Sequence, residues 1–128
     1  MEEKEKKVLE YLVLKSRLEV LAKQRDILSS QLMEVMRTID SINNLGEKEN
    51  YLPLGSRVFV KSDVEKNKFL VVVGANVALE KNKEDALAFL LLRRAELESA
   101  LANVSKEMMQ IVQRMEVLAT EIQKLVGK

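Results

Sequence analysis

Two long tracts of the sequence repeat apolar residues at alternating steps of three and four, and this spacing constrains the fold more than any other feature. The spaced positions are, in the first tract, Tyr11, Leu14, Leu18, Leu21, Arg25, Leu28, Leu32, Val35, Ile39 and Ile42 and, in the second, Leu87, Leu90, Arg94, Leu97, Leu101, Val104, Met108, Ile111, Met115, Leu118, Ile122 and Leu125. A mean step of 3.5 residues keeps an apolar stripe against one partner helix, as in a left-handed coiled coil. Because the tracts are similar in length, we predict two helices that pair antiparallel within one chain.

Two arginines, Arg25 and Arg94, occupy positions of this apolar seam. In one interpretation each stem packs in the seam while the guanidinium reaches water and helps to fix the register of the helices. In the other, the two charges contact an acidic partner. We adopt the first interpretation.

A short β insert separates the two helical tracts. We expect Gly46 to cap the first helix and Asn82 with Asp85 to open the second. The predicted division of the chain is therefore a helix over residues 1–46, an insert over 47–81 and a second helix over 82–128. The fold class is α+β, a long antiparallel two-helix coiled coil with two small β-hairpins inserted between the helices.

The insert carries more apolar surface than two hairpins can bury on themselves. Residues 58–62 alternate, residues 69–73 are apolar on both faces, and Gly74 to Asn76 form a turn before 77–81. A shorter extended piece, residues 51–54, precedes Gly55 and completes two hairpins. Such a sheet, with unsatisfied faces and edges, invites pairing with another chain. The residues predicted to mediate oligomerisation, here called the hairpin surface, are Val58, Val60, Leu70, Val71, Val72, Val73, Val77 and Leu79.

Two helical segments are apolar all round, unlike the rest of the helices. Segment 86–92 adjoins the hairpins and is expected to pack against them. Segment 8–14 lies at the opposite end of the predicted helix pair, where nothing else in the chain covers it. The nine residues of this region, here called the terminal patch, are Val8, Leu9, Tyr11, Leu12, Val13, Leu118, Ile122, Leu125 and Val126. A helix bundle with another copy would bury the terminal patch; otherwise it is a surface that holds apolar segments of other proteins.

Composition excludes several classes of function. Lys and Arg number 21 against 20 Asp and Glu, so no strong field points to nucleic acid or to a membrane surface. The chain has neither Cys nor His, and no phosphate-binding glycine motif, so we expect no metal, no cofactor and no enzymatic activity. The longest apolar runs are far shorter than the roughly 20 residues of a membrane span, and the charged N-terminus is unlike a secretory signal. A cytoplasmic location is therefore expected.

The hairpin sequences resemble those of a known family. LPLG at 52–55 precedes VFVK at 58–61, and VVGA at 72–75 precedes Val77 and Ala78. With the paired heptads, this order of helix, two hairpins and helix is similar to the α-class subunit of prefoldin, a chaperone of archaea and eukaryotes. The family often has a second glycine in each motif, where this chain has Arg57 and Asn76. Asn tolerates the left-handed backbone region, so Arg57 is the greater departure.

The resemblance implies a hexamer of two α-class and four β-class subunits, whose hairpins join into β-barrels that form a platform. It also implies that the coiled-coil ends capture non-native polypeptides without ATP and that a group II chaperonin receives them. The terminal patch would then bind clients, and the hairpin surface would join subunits. The alternative is a structural coiled-coil adaptor that holds no client.

Overall fold

The computed structural model describes residues 2–46, 49–65 and 67–127 of the 128-residue chain. In chain order its elements are α1 (Glu3–Asn43), β1 (Asn50–Gly55), β2 (Val58–Ser62), β3 (Phe69–Gly74), β4 (Val77–Lys81) and α2 (Lys83–Val126). β1 pairs with β2, and β3 with β4, as two separate antiparallel hairpins. The predicted α+β fold of two long helices with two hairpins inserted between them is confirmed. Within the described ranges, neither helix has an apolar stretch long enough to cross a membrane.

The described residues fall into two compact units. The helical unit lies within Met1–Leu32 and Glu96–Lys128, and the hairpin unit is Met33–Ala95. Each unit takes one part of α1 and one part of α2.

In the helical unit, α1 and α2 run antiparallel, and their apolar seam forms a narrow core. Leu21, Leu97 and Leu118 are almost completely buried, and the other apolar seam residues of this unit are buried or half-buried. The direction follows from two ion pairs between the helices. Glu10 pairs with Arg114, and one heptad further along α1, Arg17 pairs with Glu107, one heptad earlier in α2.

Arg25 occupies a seam position but does not bury its charge. Its side chain is exposed, and its Nε lies 3.5 Å from Oδ1 of the adjacent Asp26. This position agrees with the interpretation in which the guanidinium leaves the seam. Arg94, in the hairpin unit, is half-buried.

The start of α2 has the predicted cap. The side-chain Oδ1 of Asn82 accepts a hydrogen bond of 2.8 Å from the amide of Asp85, which no residue within the helix could satisfy. The amide of Lys83 donates to Oδ1 of Asn67, at 3.0 Å. The first turn of α2 is therefore held both by its own cap and by the segment that precedes β3.

The predicted cap at Gly46 is wrong. α1 ends at Asn43, three residues earlier, and the backbone of Gly46 instead bonds the side chain of Asn50. The Gly46 amide donates to Asn50 Oδ1 at 2.8 Å, and Asn50 Nδ2 donates to the Gly46 carbonyl at 3.0 Å. This reciprocal pair holds the link between α1 and β1 to the first residue of the strand.

The two hairpins turn in the same way. In each, a glycine with a large positive φ is followed by two residues that also have positive φ. These are Gly55, Ser56 and Arg57 (φ 119°, 47° and 66°) and Gly74, Ala75 and Asn76 (φ 140°, 46° and 61°). Two central residues with positive φ fit the type I′ turn that matches the strand twist, and the register shifts at each glycine. A Cβ on either glycine would meet nothing within 4 Å, so backbone conformation rather than space requires glycine.

One face of the second hairpin lies against helical residues of the hairpin unit. Phe69 and Val71 are half-buried, whereas Leu70 and Val72 between and beside them are exposed. A cavity of about 550 Å³ separates this strand from helix residues that include Ile42, Ala86, Phe89 and Leu90. Ile42 and Ala86 are the buried apolar residues of this unit among those described. This cavity leaves open space between β3 and the helix residues that line it.

Replacing Arg57 by Gly is expected to stabilise the fold. A non-glycine residue in the left-handed region costs about 1–2 kcal/mol, and glycine returns part of this through its larger entropy loss on folding, about 0.5–1 kcal/mol. We therefore expect Arg57→Gly to raise the free energy of unfolding by about 0.5–1 kcal/mol, measured by chemical denaturation at fixed protein concentration. The control is Asn76→Gly at the equivalent turn position, where a smaller gain is expected because Asn tolerates this conformation. An equal gain at both positions, or a loss at Arg57, would contradict this account.

Candidate functional site

The terminal patch is a surface of exposed aliphatic side chains on α1. Leu9 and Leu12 are 52% exposed and Val13 is 61% exposed, while Val8 is half-buried. Leu9, Leu12 and Val13 have the spacing i, i+3, i+4, so one side of the helix presents all three. Val8, Leu9 and Leu12 line a shallow cavity of about 390 Å³, whose rim carries charged residues of the first turn. An apolar surface with a charged rim is better suited to binding apolar segments than to catalysing a reaction.

The α2 members of the terminal patch differ in depth. Val126 is 61% exposed, Ile122 and Leu125 are half-buried, and Leu118 is completely buried in the seam. On α1, Tyr11 is half-buried and shares a second cavity, of about 360 Å³, with Ile122 and Val126. Leu118 therefore supports the surface from beneath and presents no area of its own to a ligand.

Two ion pairs hold the helices together beside the terminal patch. Lys7 Nζ lies 2.7 Å from Glu121 Oε2, and Arg114 Nε lies 2.9 Å from Glu10 Oε1. The hydrogen bond from Lys7 lowers the pKa of Glu121, and that from Arg114 lowers the pKa of Glu10. The bond to Glu121 in turn raises the pKa of Lys7. These charges fix the helix ends and leave the aliphatic side chains as the part of this region available for contact.

The hairpin surface is also largely exposed. Leu70 is 77% and Val72 67% exposed, and Val58, Val60, Val73, Val77 and Leu79 are exposed as well. Val71 is the exception, because it is half-buried. Both strands of each hairpin have one side without a β partner in the described chain. The predicted residues thus form an uncovered apolar surface with free strand edges.

The sequence interpretation missed part of this surface. The exposed apolar side chains of the first hairpin include four that were not predicted to take part in oligomerisation. They are Tyr51, Leu52, Leu54 and Phe59. Their signal was present in the sequence, because they belong to the same two apolar strands, but residues 51–54 were predicted only as a short extended piece before Gly55.

Segment 86–92 behaves only partly as predicted. Ala86, Phe89 and Leu90 line the cavity beside β3, which agrees with packing against a hairpin. Leu91 and Leu92 remain more than half exposed. They add two large side chains to the uncovered apolar area of the hairpin unit.

Comparison with known proteins places this arrangement in a family. A model described as Prefoldin subunit matches residues 14–128. The chain belongs to the prefoldin family. It is 28% identical over 132 residues to prefoldin subunit alpha of Pyrococcus horikoshii, covering 98% of this chain and 89% of that one. It is 34% identical over 102 residues to prefoldin subunit alpha of Methanococcus vannielii, covering 73% and 70% respectively.

A solved structure has the same fold. The chain is similar to filamentous prefoldin from Methanocaldococcus jannaschii, with a TM-score of 0.67, 24% sequence identity, and coverage of 91% of this chain and 98% of that one. The alpha-subunit relatives and the two hairpins confirm the predicted α-class prefoldin, and prefoldins are chaperones rather than enzymes. The chain therefore has a chaperone role.

The ion pairs beside the terminal patch predict a dependence of stability on pH. Because the pKa values of Glu10 and Glu121 are lowered on folding, their contribution is present above the ordinary value of 4.5 and is lost as the pH falls through the lowered pKa values. Because the pKa of Lys7 is raised, its contribution is present below 10.5 and is lost as the pH rises past the raised value. We expect a double variant Glu10→Gln, Glu121→Gln to melt at a lower temperature than the unsubstituted chain at pH 7, with the difference shrinking in acid.

The control for this measurement is the double variant Glu19→Gln, Glu116→Gln. Both carboxylates are exposed, one on each helix, and neither has an ion pair among the described residues. Melting followed by circular dichroism at neutral and acidic pH compares the two pairs. An equal change in melting temperature for both double variants at pH 7 would show that the ion pairs contribute nothing particular.

Proposed function

We propose that this chain is the α-class subunit of a mixed prefoldin assembly, that its hairpins join it to β-class subunits, and that its terminal patch holds apolar segments of non-native polypeptides without ATP. The observation that carries the proposal is the pair of separate uncovered apolar surfaces, one on strands and one on a helix end. A group II chaperonin would receive the held polypeptide. That last step, and a cytoplasmic location, rest on family membership rather than on any residue of this chain.

Assembly through the hairpins is supported by their incomplete pairing. An isolated two-stranded hairpin is marginal in water, and unpaired strand edges readily add another strand. Here both hairpins have such edges, and outward side chains such as Leu70 and Val72 are mostly exposed. Hairpins of neighbouring subunits, joined into β-barrels in a hexamer of two α-class and four β-class subunits, would satisfy the edges and bury these side chains together.

Client holding is supported by the strength that the terminal patch can supply. Burying one Val or Leu side chain contributes about 1.5–3 kcal/mol, and much of that is spent on ordering a flexible client. A patch with a few exposed aliphatic residues would therefore bind a segment only weakly. Several patches on one assembly raise the effective concentration and can hold one client firmly while each contact still releases quickly. Such binding needs no nucleotide, and the sequence has no phosphate-binding glycine motif.

The first test replaces the exposed α1 side of the terminal patch. We expect the variant Val8→Ser, Leu9→Ser, Leu12→Ser, Val13→Ser to assemble normally with a β-class partner and to lose suppression of aggregation of a chemically unfolded client, measured by light scattering. The control is Val20→Ser with Ile27→Ser, two exposed apolar residues on the same helix outside the terminal patch. Unchanged suppression by the fourfold variant would favour the structural adaptor instead.

The second test concerns assembly. Leu70→Ser with Val72→Ser removes two exposed apolar side chains of β3 and leaves the half-buried Phe69 and Val71 in place. We expect this variant, mixed with a β-class partner, to keep its helical circular dichroism signal and to form species of lower mass by sedimentation. The matched control is Met33→Ser with Met36→Ser, exposed apolar residues of α1 in the same unit. A full-sized assembly from the β3 variant would refute the role of the hairpin surface.

A further inference from the structure

The two flanks of the helical unit differ in character. With the seam positions labelled a and d of a heptad, antiparallel helices face each other through their e positions on one flank and their g positions on the other. The g flank carries the ion pairs between the helices. They are Glu10 with Arg114, Arg17 with Glu107, and Glu121 with Lys7, which reaches it from a seam position. This flank is closed by charges that are already paired.

On the opposite flank, among the described residues between Val112 and Val126, no ion pair joins the helices, and most side chains there are apolar. Three successive e positions of α2, Val112, Ala119 and Val126, are apolar, and Tyr11 and Leu18 contribute from the seam of α1. The two earlier e positions of α2 in this unit, Glu98 and Ser105, are polar. Two cavities, of about 210 and 360 Å³, lie along this flank and share Tyr11 and Ala119. The five apolar residues therefore line one continuous groove, here called the open flank. It meets the terminal patch at Tyr11 and Val126.

The spacing of the groove fits a helix rather than an extended chain. Seven residues along α2 advance about 10.5 Å, which is also the heptad repeat of any helix laid beside it. An extended chain presents one face every two residues, about 6.6 Å, so its side chains would fall out of step with Val112, Ala119 and Val126. The small Ala119 between two valines leaves a hole of the kind that receives a knob from a neighbouring helix.

The charge of the groove further limits its occupant. Glu116 is the charged residue lining these two cavities, and Lys15, at the e position of α1 between Tyr11 and Leu18, is exposed on the same flank without lining either cavity. The side chain of Glu116 is exposed, and no ion pair to it forms among the described residues. A ligand that carries a cation beside its apolar row would complement the groove, whereas one with an acidic residue there would meet a like charge.

We infer that the open flank binds an amphipathic helical segment of a non-native polypeptide, with apolar residues at heptad spacing in the groove and a Lys or Arg of the segment beside Glu116. This inference rests on the proposed function, because it specifies what the helical unit of a client-holding prefoldin accepts. Nascent helices persist in unfolded chains, so such segments are present in clients. In a chain that has not finished folding, such helices still expose the apolar face that the native core would bury.

The experiment measures binding of a labelled three-heptad peptide to the full chain in its assembly with a β-class partner, by fluorescence anisotropy. One peptide has leucine at the seam positions and lysine beside them, a second has glutamate in place of lysine, and a third has a central proline that prevents a helix. Ala119→Arg places a charge in the hole, and Gln113→Arg places the same charge at an exposed position of α2 outside the groove. Glu116→Lys reverses the charge of the groove.

We expect Ala119→Arg to weaken binding of the lysine peptide by about tenfold, because the arginine must be desolvated or displaced, and Gln113→Arg to leave it unchanged. The unsubstituted chain should prefer the lysine peptide by about threefold, as a partly exposed ion pair allows, and Glu116→Lys should invert that preference. Equal binding of the proline peptide, equal losses in both arginine variants, or a preference indifferent to Glu116 would each overturn the inference.

Two further measurements distinguish client binding in the groove from self-association and from failure of the proposed function. If Ala119→Arg lowers the mass of the assembly and Gln113→Arg does not, the groove holds a second copy of the chain and the inference is wrong. Suppression of client aggregation by the unsubstituted chain is measured in parallel. Suppression without peptide binding overturns the helical-segment inference alone, whereas failure to suppress aggregation overturns the proposed function.

Discussion

Every other property of this chain depends on the apolar seam between its two helices. Two helices have only one face each to bury against the other, so the seam is thin, and the almost fully buried side chains of the helical unit, Leu21, Leu97 and Leu118, follow one line along it. A chain with so narrow a core leaves most of its surface in contact with water. Its remaining apolar residues must therefore either meet another chain or stay exposed.

Helices and strands differ in whether apolar residues outside the core can stay exposed. A helix satisfies its own backbone hydrogen bonds, so aliphatic residues such as Leu9 and Val13 can stay exposed without leaving a backbone group unpaired. A two-stranded hairpin leaves one edge of each strand without partners, and its exposed Leu70 and Val72 add apolar area to that demand. Strands are therefore suited to permanent contacts between subunits, and helix surfaces to contacts that form and release.

The sequence predicted what depends on local periodicity and could not predict what depends on contacts from elsewhere. Heptad and alternating patterns located both helices and three of the four strands because side-chain direction follows directly from backbone geometry, whereas β1 was predicted only as a short extended piece. The cap at Gly46 was wrong because Asn50, from the next strand, provides the hydrogen bonds. A heptad position shows which face a residue occupies but not how deep it lies, so completely buried Leu118 was grouped with exposed Val126.

Arg57 shows how a local rule and a global demand can conflict in this fold. The turn geometry that aligns β1 with β2 requires positive φ at this position, which glycine or asparagine meets more easily than arginine. The strand pairing on either side, with its register shift before Gly55, holds the turn in this conformation. The strain lies in the backbone of one exposed turn residue, so it does not disturb packing. Arg57 disfavours its own backbone conformation, and the strand pairing on either side holds it there. The shape of the hairpin therefore matters more than its intrinsic stability.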